Sequence, residues 1–183
     1  MANAKRLATD EKKEKRSRWL ILLLLLLLLI AIGVTLWALF FRDRGTLTPD
    51  YAPRDEDKYA QTLDEPQEDK LAQSEGGGAV SLTYTTGVTI DISDEQATLY
   101  FANPSKSNQD IVLQLMVQDV LMAQSGRLSP GKQLGTLDLL DGMAERLETG
   151  GYSGKFVVLF YQPDTHEKTI LNTEIPVEIT VVE

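Results

Sequence analysis

Few residues in this chain could do chemistry. His166 is the only histidine and there is no cysteine. A histidine acts as a general base only where a nucleophile and a pocket are positioned against it. The stretch Pro163-Asp164-Thr165-His166-Glu167-Lys168 reads instead as an exposed hairpin loop. The serines of Gln124-Ser125-Gly126 and Leu128-Ser129-Pro130 lack the glycine frame of a nucleophile elbow. Asp91, Asp94, Glu95, Asp138 and Asp141 offer oxygens that calcium could use, yet their spacing is not that of an EF-hand loop, and acids at strand ends are usually solvated. Gly76-Gly77-Gly78 reads as a hinge, because no strand precedes it and no Gly-Lys-Ser/Thr follows. Without cysteine there is no disulfide framework, thiolate metal site or catalytic thiol. The expectation is a protein that is not an enzyme and holds no cofactor or metal.

What the chain does carry is strong patterning. Residues 1–18 hold seven Lys or Arg against three acids, whereas residues 45–183 hold nine against twenty-three. The acidic part lacks the basic footprint that phosphate binding requires, so nucleic acid is not an expected partner. From Trp19 to Phe41 run 23 residues without a charge. As a helix they would extend about 35 Å, enough to cross a hydrocarbon core of about 30 Å. Seven basic residues precede the run, and only Arg42 and Arg44 follow it. By the positive-inside rule the N-terminus is cytoplasmic and the C-terminal domain extracellular. A cleaved signal peptide usually has a shorter apolar region and a small-residue cleavage site, whereas this run ends in Leu39-Phe40-Phe41. It reads as an uncleaved signal anchor in contact with membrane lipid. No ionisable residue lies inside it to mark an ion path, and an 18-residue tail cannot bury a core.

Residues 42–79 read as a linker. They are acidic, contain Pro49, Pro53 and Pro66, and show sparse apolar residues without period. Such a composition buries too little surface to offset the entropy of ordering, so a disordered tether is expected.

From Val80 onward the period becomes two. Val88, Ile90 and Ile92 alternate with polar residues, Ile111, Leu113, Leu115 and Val117 form a second set, and Ile175, Val177, Ile179 and Val181 a third. Each set implies a strand with one buried face. Phe156–Tyr161 is apolar on both faces, as a central strand would be. Strands are expected near 80–85, 87–93, 97–103, 110–118, 120–125, 133–140, 152–162 and 170–182, divided by turn residues. For 137–147, either a strand or a helical stripe fits, or a strand followed by a helical turn. The regular spacing points to an all-β, antiparallel sandwich of about seven to eight strands over residues 80–183.

The segment Leu147-Glu148-Thr149-Gly150-Gly151-Tyr152 resembles the tyrosine corner of immunoglobulin-like and fibronectin type III-like sandwiches. The resemblance implies that Tyr152 opens the penultimate strand and that its hydroxyl bonds back to the upstream backbone, with Leu147 before the turn. It also implies that Pro104, Ser105, Lys106, Ser107 and Asn108 share one end of the sandwich with Asp164, Thr165 and His166, making these two loops the candidate binding surface. Strand addition, on the C-terminal strand or on Val120–Gln124, is a second route to a partner.

Together these features lead to a single-pass membrane protein that displays an immunoglobulin-like sandwich for interaction with a protein partner. A more specific version is an accessory or scaffold subunit of a bacterial envelope assembly, such as a secretion, conjugation or pilus machine. A ligand sensor is the lesser alternative, since a short tail and flexible tether transmit conformational change poorly. Missing cysteines suit a bacterial surface, as does the lack of a usable glycosylation sequon, Asn103-Pro104-Ser105 being disqualified by its proline.

Overall fold

The computed structural model describes residues 19, 23–35, 49–66, 68–73 and 77–183. The chain divides into two units, Met1–Leu47 and Thr48–Glu183. In the first, residues 23–35 are helical and exposed, and the Thr35 hydroxyl donates to the Ala31 carbonyl at 2.7 Å. Among the described residues, no helix is long and apolar enough to cross a membrane. The expected span 19–41 reaches beyond them at 20–22 and 36–41, and the basic tail 1–18 lies wholly outside.

The second unit is built from nine strands: β1 (Gln61–Thr62), β2 (Thr83–Tyr84), β3 (Gly87–Asp91), β4 (Gln96–Asn103), β5 (Asp110–Val117), β6 (Val120–Gln124), β7 (Lys132–Asp138), β8 (Gly150–Tyr161) and β9 (Lys168–Val182). Their order is β1-β7-β4-β3-β9-β8-β5-β6, with β2 added to β4. The alternation read from β3, β5 and β9 is the one that buries Val88, Ile90, Ile111, Leu113, Leu115, Ile175, Val177 and Ile179 in one core. Across that core the ring of Phe101 on β4 meets that of Phe156 on β8 edge-on, 5.7 Å apart at 83°. The sheet therefore turns back on itself so that its two halves face each other. The ambiguous segment 137–147 ends β7 at Asp138 and then forms a 3₁₀ turn, Ala144–Arg146.

Two expectations need correction. The sheet is mixed and not purely antiparallel, because β3 runs parallel to β9 from Gly87↔Glu178 to Asp91↔Val182. A period of two reports which face a residue takes and says nothing about the direction of the neighbouring strand. The tether expectation also fails for the described residues between 49 and 73, which form a strap laid over the sandwich. Ala52 is buried with Val112, Leu159 and Tyr161 in a second apolar cluster, which is why β5 is buried along both faces. The Ala52 N–H donates to the His166 carbonyl, that of Lys168 to Asp50, that of Asp57 to Arg127 and that of Leu63 to Gly131, each at 2.8–2.9 Å. Gln61 and Thr62 extend the sheet beside Gln133 and Lys132.

The composition of this segment misleads because its acids act as acceptors. Asp57 receives the Gly126 N–H at 2.6 Å, and Glu65 receives the Ser105 N–H at 2.6 Å. Asp138 accepts from Tyr59 at 2.7 Å and also pairs with Lys58, and it is the Lys58 bond above all that holds its carboxyl below the usual range. Residues 42–48, 67 and 74–76 of the expected tether lie outside the described residues. In hydrogen exchange, the amides of Ala52, Asp57, Ala60 and Leu63 are expected to be slow together, as members of one docked segment. Random-coil rates at all four would show a free tether after all.

Candidate functional site

The first candidate loop, Pro104 to Asn108, is covered. Pro104 and Ser107 are buried and Ser105, Lys106 and Asn108 half-buried. Asn103 fixes its base by donating from Nδ2 to the carbonyls of Gln109 and Leu128, both at 3.0 Å. Above it lie residues 68–73 and 77–81. Lys106 pairs with Glu68 at 3.0 Å, the Leu71 N–H donates to the Lys106 carbonyl, and the Ser107 hydroxyl exchanges two bonds with the backbone of Ser81. This loop is consequently a docking place for the chain's own strap, and offers little free surface.

The second loop keeps Asp164 and Thr165 exposed, but His166 turns inward with a positive φ of 59°. The sequence reading placed this histidine in solvent. In the structure its Nδ1 lies 3.9 Å from the carboxylate of Asp110, the first residue of β5. Asp110 is only 2% exposed. Arg127 reaches it at 3.4 Å and Glu56 of the strap at 3.6 Å, and the Ser129 hydroxyl donates to Glu56. Burial pushes the Asp110 carboxyl above its usual value, and the Arg127 charge opposes that rise.

Although a serine, a histidine and two acids gather here, Ser129 is spent on Glu56. The cluster acts as a latch that holds the strap where Glu56 bridges to Arg127. Sequence reasoning missed it. The available signal was a charged residue, Asp110, opening a strand that is otherwise apolar but for Gln114.

Two of the five acids considered for calcium are similarly engaged. Asp91 accepts the N–H groups of Ser93 and Asp94 within its own turn, and Asp138 is tied to the strap. Among the described residues no group of three metal-ligating side chains converges.

At the corner, Tyr152 donates its hydroxyl to the Glu148 carbonyl at 3.0 Å and accepts the Glu148 N–H at 3.1 Å, with Leu147 buried in the core. The position is structural. Tyr152→Phe is expected to cost about 1 kcal/mol in urea unfolding, and an unchanged midpoint would remove this hydroxyl from the stabilising contacts.

One surface feature has no such internal use. At the start of β9, Ile170 is 101% exposed and Leu171 74%, and β9 meets β3 only from Glu178 onward. Ahead of that point β9 stays with β8, while the chain leading into β3 stays with β4 and the 104–109 loop through Thr83↔Ala102 and the paired bonds of Ala79 and Asn108. The sheet parts between them into a groove of about 700 Å³ lined by Gly78, Val80, Gln109, Phe160, Ile170 and Leu171. The other edge considered for strand addition, β6, is partly closed: Ala123 bridges to Leu139 and the Met122 carbonyl accepts the Leu140 N–H.

No family model matches this sequence, and no curated protein does either. Among solved structures, the chain is similar to the Escherichia coli chaperone DraB, at 14% identity and a TM-score of 0.37, covering 57% of this chain and 55% of that one. It is also similar to AggA, the major subunit of aggregative adherence fimbriae type I from Escherichia coli, at 13% identity and a TM-score of 0.31, covering 63% of this chain and all of that one. The match thus spans about half the length of the chaperone. Alignments at these scores fix neither family nor role.

Proposed function

We propose that the chain is a single-pass membrane protein, cytoplasmic at its N-terminus, which displays its sandwich outside the cell and works by binding protein without catalysis. An accessory or scaffold role in a bacterial envelope assembly is the setting that fits best. The observation that carries the binding role is the exposed pair Ile170 and Leu171 beside an unpaired strand edge. Apolar side chains next to open backbone are what a polypeptide partner covers. Ser129, Glu56, Arg127 and Asp110 are, by contrast, engaged with one another where the strap is latched. The anchor rests on the uncharged run from Trp19 to Phe41 and its basic flank.

Two measurements test this reading. In intact cells, external protease should remove the sandwich while the chain resists alkaline extraction from membranes; release into the soluble fraction would overturn the anchor. Photoreactive residues at Thr165 and Leu171 should each give a discrete protein adduct, with none at Thr180 on the outer face of β9. Absence of adducts at both test sites would overturn the interaction role.

A further inference from the structure

We infer that the groove between β9 and the chain leading into β3 accepts one extended strand of a partner polypeptide, with apolar residues at alternate positions and basic residues at its ends. This rests on the protein-binding reading above and names the partner's chemistry. The argument begins with the edge. The Glu178 N–H donates to the Thr86 carbonyl at 2.8 Å, so even-numbered residues of β9 present their backbone groups toward β3. By the same period of two, Asn172 and Glu174 present theirs to the groove. Pro176 between them and β3 has no N–H to offer. Among the described residues, no strand pairs with these groups.

The core face is open over the same stretch. Ile175, Val177, Ile179 and Val181 are buried at alternate positions; Thr173 continues that alternation and Leu171 follows it at the register break opposite Phe160, yet both are exposed. Beneath them Phe160 and Val80 line the floor. Open backbone together with an uncovered apolar stripe is the imprint of a missing strand. Five residues at about 3.3 Å each would occupy about 17 Å of it. Charge supplies the third constraint. Beyond Gly45 the chain carries nine basic against twenty-three acidic residues, while the groove itself is lined by one acid and one base, Glu167 and Lys168. Against the domain's net negative charge an acidic occupant would meet repulsion, and basic ends would meet complementary charge.

The test uses the full chain in lipid nanodiscs and a synthetic peptide, Lys-Val-Thr-Val-Thr-Val-Lys, at millimolar concentration, with amide exchange read residue by residue. The peptide is expected to slow exchange at Asn172 and Glu174 by about tenfold or more. The same peptide methylated on alternate backbone nitrogens should not. Leu171→Glu, at an exposed position, should abolish the effect while leaving the exchange of β5 unchanged. Unchanged exchange with peptide, or equal protection by the methylated form, would overturn the proposal. Three other outcomes also would: protection that rises with the concentration of the chain alone (a second copy), protection that appears only with added lipid (a membrane surface), or protection already complete without peptide (the chain's own segment). An adduct at Thr165 in cells without peptide protection here would leave the interaction role standing and remove only the groove.

Discussion

Replacing Arg127 by alanine is expected to cost about 3–5 kcal/mol at neutral pH, with the loss shrinking as the pH falls. The side chain of Asp110 is 2% exposed and Arg127 is the cation in contact with it, at 3.4 Å. Removing that cation leaves a buried carboxylate facing Glu56 across the latch, with His166 at 3.9 Å and Ser129 as the remaining groups around it. Burial already raises the Asp110 carboxyl and Arg127 opposes the rise, so without Arg127 the native value climbs further. A carboxyl raised in the native state binds its proton more tightly folded than unfolded. Stability therefore increases as pH falls through the native value toward the ordinary aspartate range, and below both values nothing further is gained. The difference in unfolding free energy between Arg127→Ala and the parent should accordingly be largest at neutral pH and smaller at about pH 5. A difference independent of pH would mean that Arg127 acts by packing and not by charge. Adding Asp110→Asn to Arg127→Ala separates the two causes: if the unpaired charge is the cost, the double variant recovers part of the loss at neutral pH. Because Arg127 also holds Glu56, the single variant should speed amide exchange at Ala52 and Asp57 before the sandwich itself opens.

That coupling explains why the strap was illegible in the sequence while the sandwich was not. Strands announce themselves through local periodicity. Ile175 to Val181 must alternate because one face of β9 is buried, and Phe156–Tyr161 must be apolar on both faces because β8 lies between β5 and β9. The Tyr152 hydroxyl needs a partner only four residues upstream. The strap is built from contacts between residues far apart in the chain, such as Asp57 with Gly126 and Tyr59 with Asp138. Composition weighs its acids as solvated charges, and no local rule reveals that Glu56, Asp57 and Glu65 each have a donor waiting. The same blindness affects the binding surface. Loop 104–108 reads as free because nothing in it shows that Ser81 will bond to Ser107. The groove depends on where β9 leaves β3, which is a property of the parallel register and invisible to a period of two.

Phe101→Ala and Phe156→Ala should each cost about 3–5 kcal/mol, the largest effects expected from any apolar substitution here. Both rings are fully buried and they join the two facing halves of the sheet. Their edge-to-face contact predicts a coupling of about 0.5–1.5 kcal/mol in a double-mutant cycle, beyond what area alone accounts for. Phe101 has a second duty, since Tyr84 of β2 stacks on it at 6.1 Å with planes 17° apart. Tyr84 is partly exposed and β2 is only two residues long, so β2 is kept on β4 by that ring, by the pairing of Thr83 with Ala102 and Tyr84 with Phe101, and by the Thr85 N–H bond to the Tyr100 carbonyl at 3.0 Å. Phe101→Ala should therefore loosen the chain leading into β3 on the far side of the groove, read as faster exchange at Thr83 and Tyr84, whereas Phe156→Ala should spare those amides. If both variants accelerate them equally, β2 follows the core as a whole. If only Phe101→Ala does, the width of the groove is set by one stacked pair, and the affinity for an inserted strand should change with it even where the rest of the sandwich stays folded.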